Sequence, residues 1–93
     1  MIVTGHGLKT GKTYRLVQAT TNLQMWCGFV FKVLDDYSQH CFPHKSGYVA
    51  ARILVPPPNT VWKRGGYWKD MPVYPVERYE ELTEEEAMMY QIQ

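Results

Sequence analysis

Residues 62–69 read Trp62-Lys63-Arg64-Gly65-Gly66-Tyr67-Trp68-Lys69, three large aromatics and three cations around a pair of glycines. Aromatic rings stack on bases and fill interface pockets, and cations neutralise phosphates. The same side chains also serve structure, when a tryptophan caps a core and Lys and Arg stay wet above it. A two-residue Gly65-Gly66 loop suits the mirror-image turns that follow strand twist. The spacing therefore predicts a hairpin over 61–70. In that register Arg64 faces Tyr67, Lys63 faces Trp68 and Trp62 faces Lys69. Trp62, Arg64, Tyr67 and Lys69 then share one face, with Lys63 and Trp68 behind it.

Other residue groups suggest chemistry and then fall short of it. Gly11-Lys12-Thr13 has the ending of a phosphate-binding loop, but the pattern needs a glycine five positions before Gly11, and His6 stands there. Gly5 and Gly7 miss by one on either side, so a cradle of backbone donors would have the wrong size. A turn between two strands is the expected role. Cys27, His40, Cys41 and His44 are zinc-ligand types, and Cys41 and His44 have a plausible local spacing. In an extended segment, however, His40 and Cys41 point to opposite faces, and Cys27 has no close companion. No metal is expected, and Cys27 and Cys41 are read as small buried apolar residues. A catalytic Cys41 would need a histidine beside it in space and an acidic residue such as Asp35 or Asp36 to orient that histidine; sequence adjacency supplies neither. The expectation is a non-catalytic protein without a cofactor.

Charge and size limit the choice further. The chain has 93 residues, enough for one domain with one modest core. Aromatics make up 14%, which favours pleated, half-buried surfaces. The net charge of +1 hides an asymmetry, for residues 1–69 carry a surplus of seven positive charges and residues 70–93 a surplus of six negative ones. A basic body with an acidic tail suits a nucleic-acid binder whose tail competes for the same face, and suits equally a body and tail that attract each other. Two cysteines fit a reduced compartment. The first residues show no basic region leading into an apolar core, and no apolar run is long enough to span a bilayer. The cytoplasm is the expected location, with no membrane partner.

These residues must be positioned by short elements. Residues 2–4 and 13–19 read as strands. Residues 25–34 form the strongest strand signal, with Phe29, Phe31 and Val33 on one face and Lys32 on the other. Residues 39–42 suggest a short strand ending at Pro43. Residues 48–55 read as another, with Val49, Ile53 and Val55 on one face. Pro56-Pro57-Pro58 then form a stiff link into the hairpin. Residues 73–79 are a last strand or extended arm. Thr83-Glu84-Glu85-Glu86 is a capping box that opens a helix over 83–92, which is too short to hold alone and must pack on the body or on a partner.

The predicted fold is therefore mainly β. It is a single domain over 1–93, a small barrel or bent antiparallel sheet of about five strands over 13–79 with a short C-terminal helix. The segments 11–17 (Gly-Lys-Thr-Tyr-Arg-Leu-Val), 29–33 (Phe-Val-Phe-Lys-Val) and 76–82 (Val-Glu-Arg-Tyr-Glu-Glu-Leu) give the layout a resemblance to SH3-like small barrels, of the kind common among accessory proteins of bacteriophages. The resemblance implies a binding protein that modulates or inhibits a host or defence complex, in the host cytoplasm. The proline–tryptophan stretch departs from a minimal barrel. Read from the residues, the partner is a protein held by Trp62, Lys63, Arg64, Tyr67, Trp68 and Lys69. The alternative is a nucleic acid held by Lys9, Lys12, Arg15, Lys63, Arg64 and Lys69.

Overall fold

The computed structural model describes residues 1–19, 21–35, 47–58, 60–74 and 76–91. Among these residues six strands are formed: β1 (Ile2–Thr4), β2 (Thr13–Gln18), β3 (Val30–Asp35), β4 (Gly47–Val55), β5 (Tyr67–Val73) and β6 (Arg78–Glu81). One helix, α1 (Glu84–Gln91), follows, and short 3-10 turns cover Gly5–Gly7 and Thr21–Trp26. All strand pairs are antiparallel, in the order β1-β6-β2-β3-β4-β5. The fold is mainly β with a short C-terminal helix, as the strand and capping signals predict. No helix among the described residues is long and apolar enough to cross a membrane.

The connection from β5 to β6 dictates the curvature. In a flat sheet the two strands would lie four spacings apart, roughly 19 Å. Between them is a tight turn, closed by the Glu77 N–H donating to the Tyr74 carbonyl at 3.1 Å, and turns of this kind hold their ends within about 7 Å. The turn cannot bridge a flat sheet, so the sheet bends until the end of β5 lies near the start of β6. Gly5 seals the junction: its N–H donates to the Glu77 carbonyl at 3.1 Å, and a Cβ at this position would run into the Tyr74 carbonyl.

The concave face holds the main core. Tyr14 and Leu16 of β2, Phe31 and Val33 of β3, Val49, Ala51 and Ile53 of β4, and Met71 and Val73 of β5 are buried there with Leu8, Phe29 and Tyr79. Strand pairing explains the set, since Tyr14 lies opposite Phe31, Leu16 opposite Tyr79, and Val33 opposite Ala51. The predicted Phe29, Phe31 and Val33 face is the centre of this core. Phe31 stands edge-on to Tyr79 with ring centroids 5.5 Å apart. A smaller cluster of Val30, Leu54 and Leu82 covers the opposite face, with Val55 and Tyr90 packed against it. Val55 joins this second cluster and not Val49 and Ile53 as alternation suggests, because the β3–β4 register shifts between Phe31 and Val30.

Two further predicted boundaries are corrected. The strand placed over 25–34 begins at Val30, and the residues before it form the Thr21–Trp26 turn. Gly28 makes the break, with φ +99° and its N–H bonded to the Leu16 carbonyl at 2.8 Å; this left-handed conformation suits glycine and interrupts a strand. The strand placed over 73–79 is split, with Val73 ending β5 and Arg78 beginning β6. Residues 39–42 lie outside the described residues.

Helix α1 is held by its start and by one side chain. Thr83 and Glu86 make the reciprocal capping bonds, Glu86 N–H to Thr83 Oγ1 at 3.2 Å and Thr83 N–H to Glu86 Oε1 at 3.3 Å. Tyr90 accepts from Arg15 at 2.8 Å and packs on the second cluster. Arg15 also pairs with Glu80 at 3.0 Å, but both side chains are about a third exposed, and such pairs contribute at most about 1 kcal/mol. The cap and Tyr90 therefore hold the helix, while Met88 and Met89 remain exposed. Gly5→Ala should destabilise the fold by about 1–3 kcal/mol through overpacking. Thr83→Ala should cost about 1 kcal/mol through the lost cap. Urea unfolding checks both, and a Gly5→Ala variant as stable as wild type would contradict the sealed junction.

Candidate functional site

The segment 62–69 does not fold back on itself as a two-residue hairpin. Gly65 has φ +82° and Gly66 does not share it, so the turn is centred on Arg64 and Gly65 and closed by the Gly66 N–H to the Lys63 carbonyl at 3.0 Å. Both glycines bond to β4: the Gly65 N–H donates to the Ile53 carbonyl at 2.6 Å, and the Ile53 N–H donates to the Gly66 carbonyl at 2.8 Å. Tyr67 then lies opposite Arg52, and Trp68 opposite Ala51. The partner of β5 is β4, and the long connection carrying the three prolines joins them. The predicted pairs Arg64–Tyr67, Lys63–Trp68 and Trp62–Lys69 are not formed. The unpaired edge of β4 offers more ladder bonds than residues 61–64 do.

A bulge then sorts the side chains. Between Ala51 and Val49 on β4 there is one residue, Ala50, but between Trp68 and Met71 on β5 there are two, Lys69 and Asp70. The extra residue resets the alternation. Trp68 and Met71 thus both turn towards the core, while Tyr67, Lys69 and Asp70 are exposed. Trp62 also packs against the core, so Trp62 and Trp68 come together with ring centroids 4.3 Å apart. The shared face predicted for Trp62, Arg64, Tyr67 and Lys69, with Trp68 behind, is replaced by a Trp62–Trp68 pair with the cations and Tyr67 outside it.

A third tryptophan completes the group. Trp26, at the end of the Thr21–Trp26 turn, meets Trp62 edge-on at 5.0 Å and lies 6.4 Å from Trp68. The three half-buried indoles form one side-chain cluster, with Phe29 6.0 Å from Trp62. They border a cleft of about 230 Å³, whose lining also includes Tyr74, Glu77 and Tyr79. Small-molecule pockets usually run from about 300 Å³ upwards, so the volume of this cleft is on the scale of a single side chain. Trp26 and Glu77 are absent from the sequence-predicted site. Trp26 sits beyond a glycine break, and Glu77 lies in a segment whose other acids are exposed or half-exposed.

Glu77 is buried, with 3% exposure. Its Oε1 accepts from the Tyr79 hydroxyl at 2.8 Å and from the Tyr74 N–H at 2.9 Å. Burial pushes its carboxyl above the ordinary glutamate value, and these two bonds pull part of the way back. Burial, and then the neighbouring carboxylate, hold the Tyr79 hydroxyl well above its usual range, so it stays a donor.

The predicted cations are scattered. Arg15 is engaged with Glu80 and Tyr90. Lys12 borders a depression shared with Leu82 and Glu84, and Lys9, Lys63 and Lys69 are exposed. Arg64 lines a groove of about 560 Å³ with Lys32, Arg52 and Tyr90, and Arg52 donates to the Gly65 carbonyl at 2.9 Å. Gly11-Lys12 continues the ladder with β3, through the Gly11 N–H to the Val33 carbonyl at 2.8 Å and the Val33 N–H to the Lys12 carbonyl at 2.9 Å. Its backbone is thus committed to the sheet. Cys27 is a half-buried free cysteine packed on the core; His40, Cys41 and His44 lie outside the described residues, as does Asp36.

In comparison with known proteins, no family model matches the chain, and neither a curated protein nor a solved structure matches it.

The raised carboxyl of Glu77 has a signed consequence. The folded state takes up a proton at Glu77 more readily than the unfolded state, so stability falls as pH rises from about the ordinary value of 4.5 through the folded pKa. Above that window the penalty is constant. Glu77→Gln removes it while keeping an acceptor for Tyr79. The stability difference, wild type minus Glu77→Gln, should therefore fall with rising pH and then level off. Urea midpoints of both proteins between pH 4 and 8 check this, and a difference that rises with pH would contradict it.

Proposed function

We infer that this chain is a non-catalytic binding protein that docks a protein partner at the three-tryptophan cleft. The observation that carries the reading is the cluster of Trp26, Trp62 and Trp68 around an open cleft, with exposed Tyr67 beside it. Trp and Tyr dominate interface hot spots because they bury large area with few rotatable bonds. The layout that resembles an SH3-like barrel of phage accessory proteins extends the reading to a protein that modulates or inhibits a host or defence complex, acting in the host cytoplasm. That extension rests on the resemblance.

The basic groove of Lys32, Arg52 and Arg64 supports a second reading, a nucleic-acid-binding module. Its cations are those of the sheet's outer face, so only Arg64 is shared with the set read from the sequence. The six-charge negative surplus of residues 70–93 opposes it.

Affinity capture from host lysate with and without nuclease separates the two. Wild type should retain a protein in both arms, and Trp62→Ala, with its fold verified by circular dichroism, should weaken capture about thirtyfold, as hot-spot truncations do. Capture that survives Trp62→Ala would contradict the site. Capture that disappears with nuclease and falls steeply with salt would move the function to the groove.

A further inference from the structure

The clamp on the turn accounts for one oxygen of Glu77. Tyr74 and Tyr79 both donate to Oε1, and no described residue donates to Oε2. Among the described residues no Lys or Arg pairs with this carboxylate; the neighbouring Arg78 donates to the Glu77 backbone carbonyl instead, at 3.3 Å. A glutamine would close the same turn without a buried charge, so the clamp does not require an acid. Buried carboxylates are ordinarily paired. A cation has a place to sit here, because Glu77 borders the tryptophan cleft and is the one carboxylate among its described lining residues.

The rest of the lining selects the kind of cation. Half-buried Trp26, Trp62 and Trp68 line the cleft with buried Phe29, and the faces of such rings attract positive charge. Beyond Glu77 the described lining residues offer few acceptors. An unmodified ammonium brings three N–H donors and a guanidinium five, and most of these would be left unpaired beside the indoles. A dimethylammonium brings one N–H, matched to Oε2, to which no described residue donates, and its methyl groups meet the rings. A trimethylammonium brings charge and methyl groups alone. The volume of about 230 Å³ suits such a single side chain.

We propose that the cleft binds a methylated ammonium group, carried by a methylated lysine of the protein partner, with Glu77 as its counter-charge and the tryptophans as its walls. The proposal rests on the docking reading above and names the side chain that docks. Binding favours ionised Glu77, so affinity falls as pH falls through the titration of Glu77.

The test uses the intact chain and five probes: N-acetyl amides of lysine, dimethyllysine and trimethyllysine, the neutral tert-butyl isostere of trimethyllysine, and phosphocholine. Tryptophan indole N–H signals in NMR titrations report binding. The dimethyl and trimethyl probes should bind about tenfold or more tightly than lysine or the isostere. Glu77→Gln should reduce them to the level of the isostere, and wild type should lose affinity on acidification. The pH series on wild type decides the role of Glu77 even where the variant folds poorly. Equal binding of the isostere overturns the counter-charge and leaves protein docking intact, because capture by wild type and Trp62→Ala tests docking separately. Phosphocholine binding as tightly as trimethyllysine overturns the protein source in favour of a lipid headgroup. Silence from every probe overturns the proposal.

Discussion

The Glu77 carboxylate is bonded from two sides at once, by the backbone of Tyr74 behind it and the hydroxyl of Tyr79 ahead. Much of the structure depends on this grip. It closes the turn that carries the chain from β5 back to β6, and the shortness of that turn forces the sheet to bend. β6 can then lie between β1 and β2, and the chain enters α1 two residues beyond it. Hydrogen bonds to a charged acceptor contribute about 1.5–3 kcal/mol each, enough to hold a turn but set against the desolvation of a buried acid. The same group thus ties the sheet together and leaves a charge at the edge of the cleft.

The cleft is a product of two irregularities. The bulge at Lys69 and Asp70 turns Trp68 inward beside Met71, and the left-handed Gly28 follows the Thr21–Trp26 turn, whose last residue, Trp26, meets Trp62 edge-on. Aromatic pairs contribute about 0.5–1.5 kcal/mol beyond their area, so the indoles hold one another without further cover. Indoles packed on one another have little side-chain entropy left to lose on binding, which is what the docking proposal draws on.

How much of this was readable in the sequence followed from how local the governing interactions are. The alternation of Phe29, Phe31 and Val33, the strand read over 13–19 and formed over Thr13–Gln18, and the Thr83–Glu86 cap all depend on neighbours within a few residues, and each was legible. The register of the Gly65-Gly66 segment was not. Two glycines invite a tight hairpin, but their hydrogen bonds go to Ile53, twelve and thirteen residues away in the chain, and local turn chemistry does not weigh that competitor. Bulges are also silent in a pattern of period two, which groups Asp70 with Trp68, whereas the structure turns Trp68 towards the core and leaves Asp70 exposed. The importance of Trp62 and Trp68 was visible, but the company they keep was not. Glu77 resembled the other acids of residues 70–93 until the bend in the sheet buried it.

A carbon-13 NMR titration of the Glu77 side-chain carboxyl tests the central claim most directly. In the free protein its midpoint should lie above the ordinary glutamate value of 4.5, and saturating N-acetyl dimethyllysine amide should move it down, because a bound cation favours the ionised form. A midpoint at or below the ordinary value, unmoved by that probe, would contradict a buried counter-charge waiting for a cation.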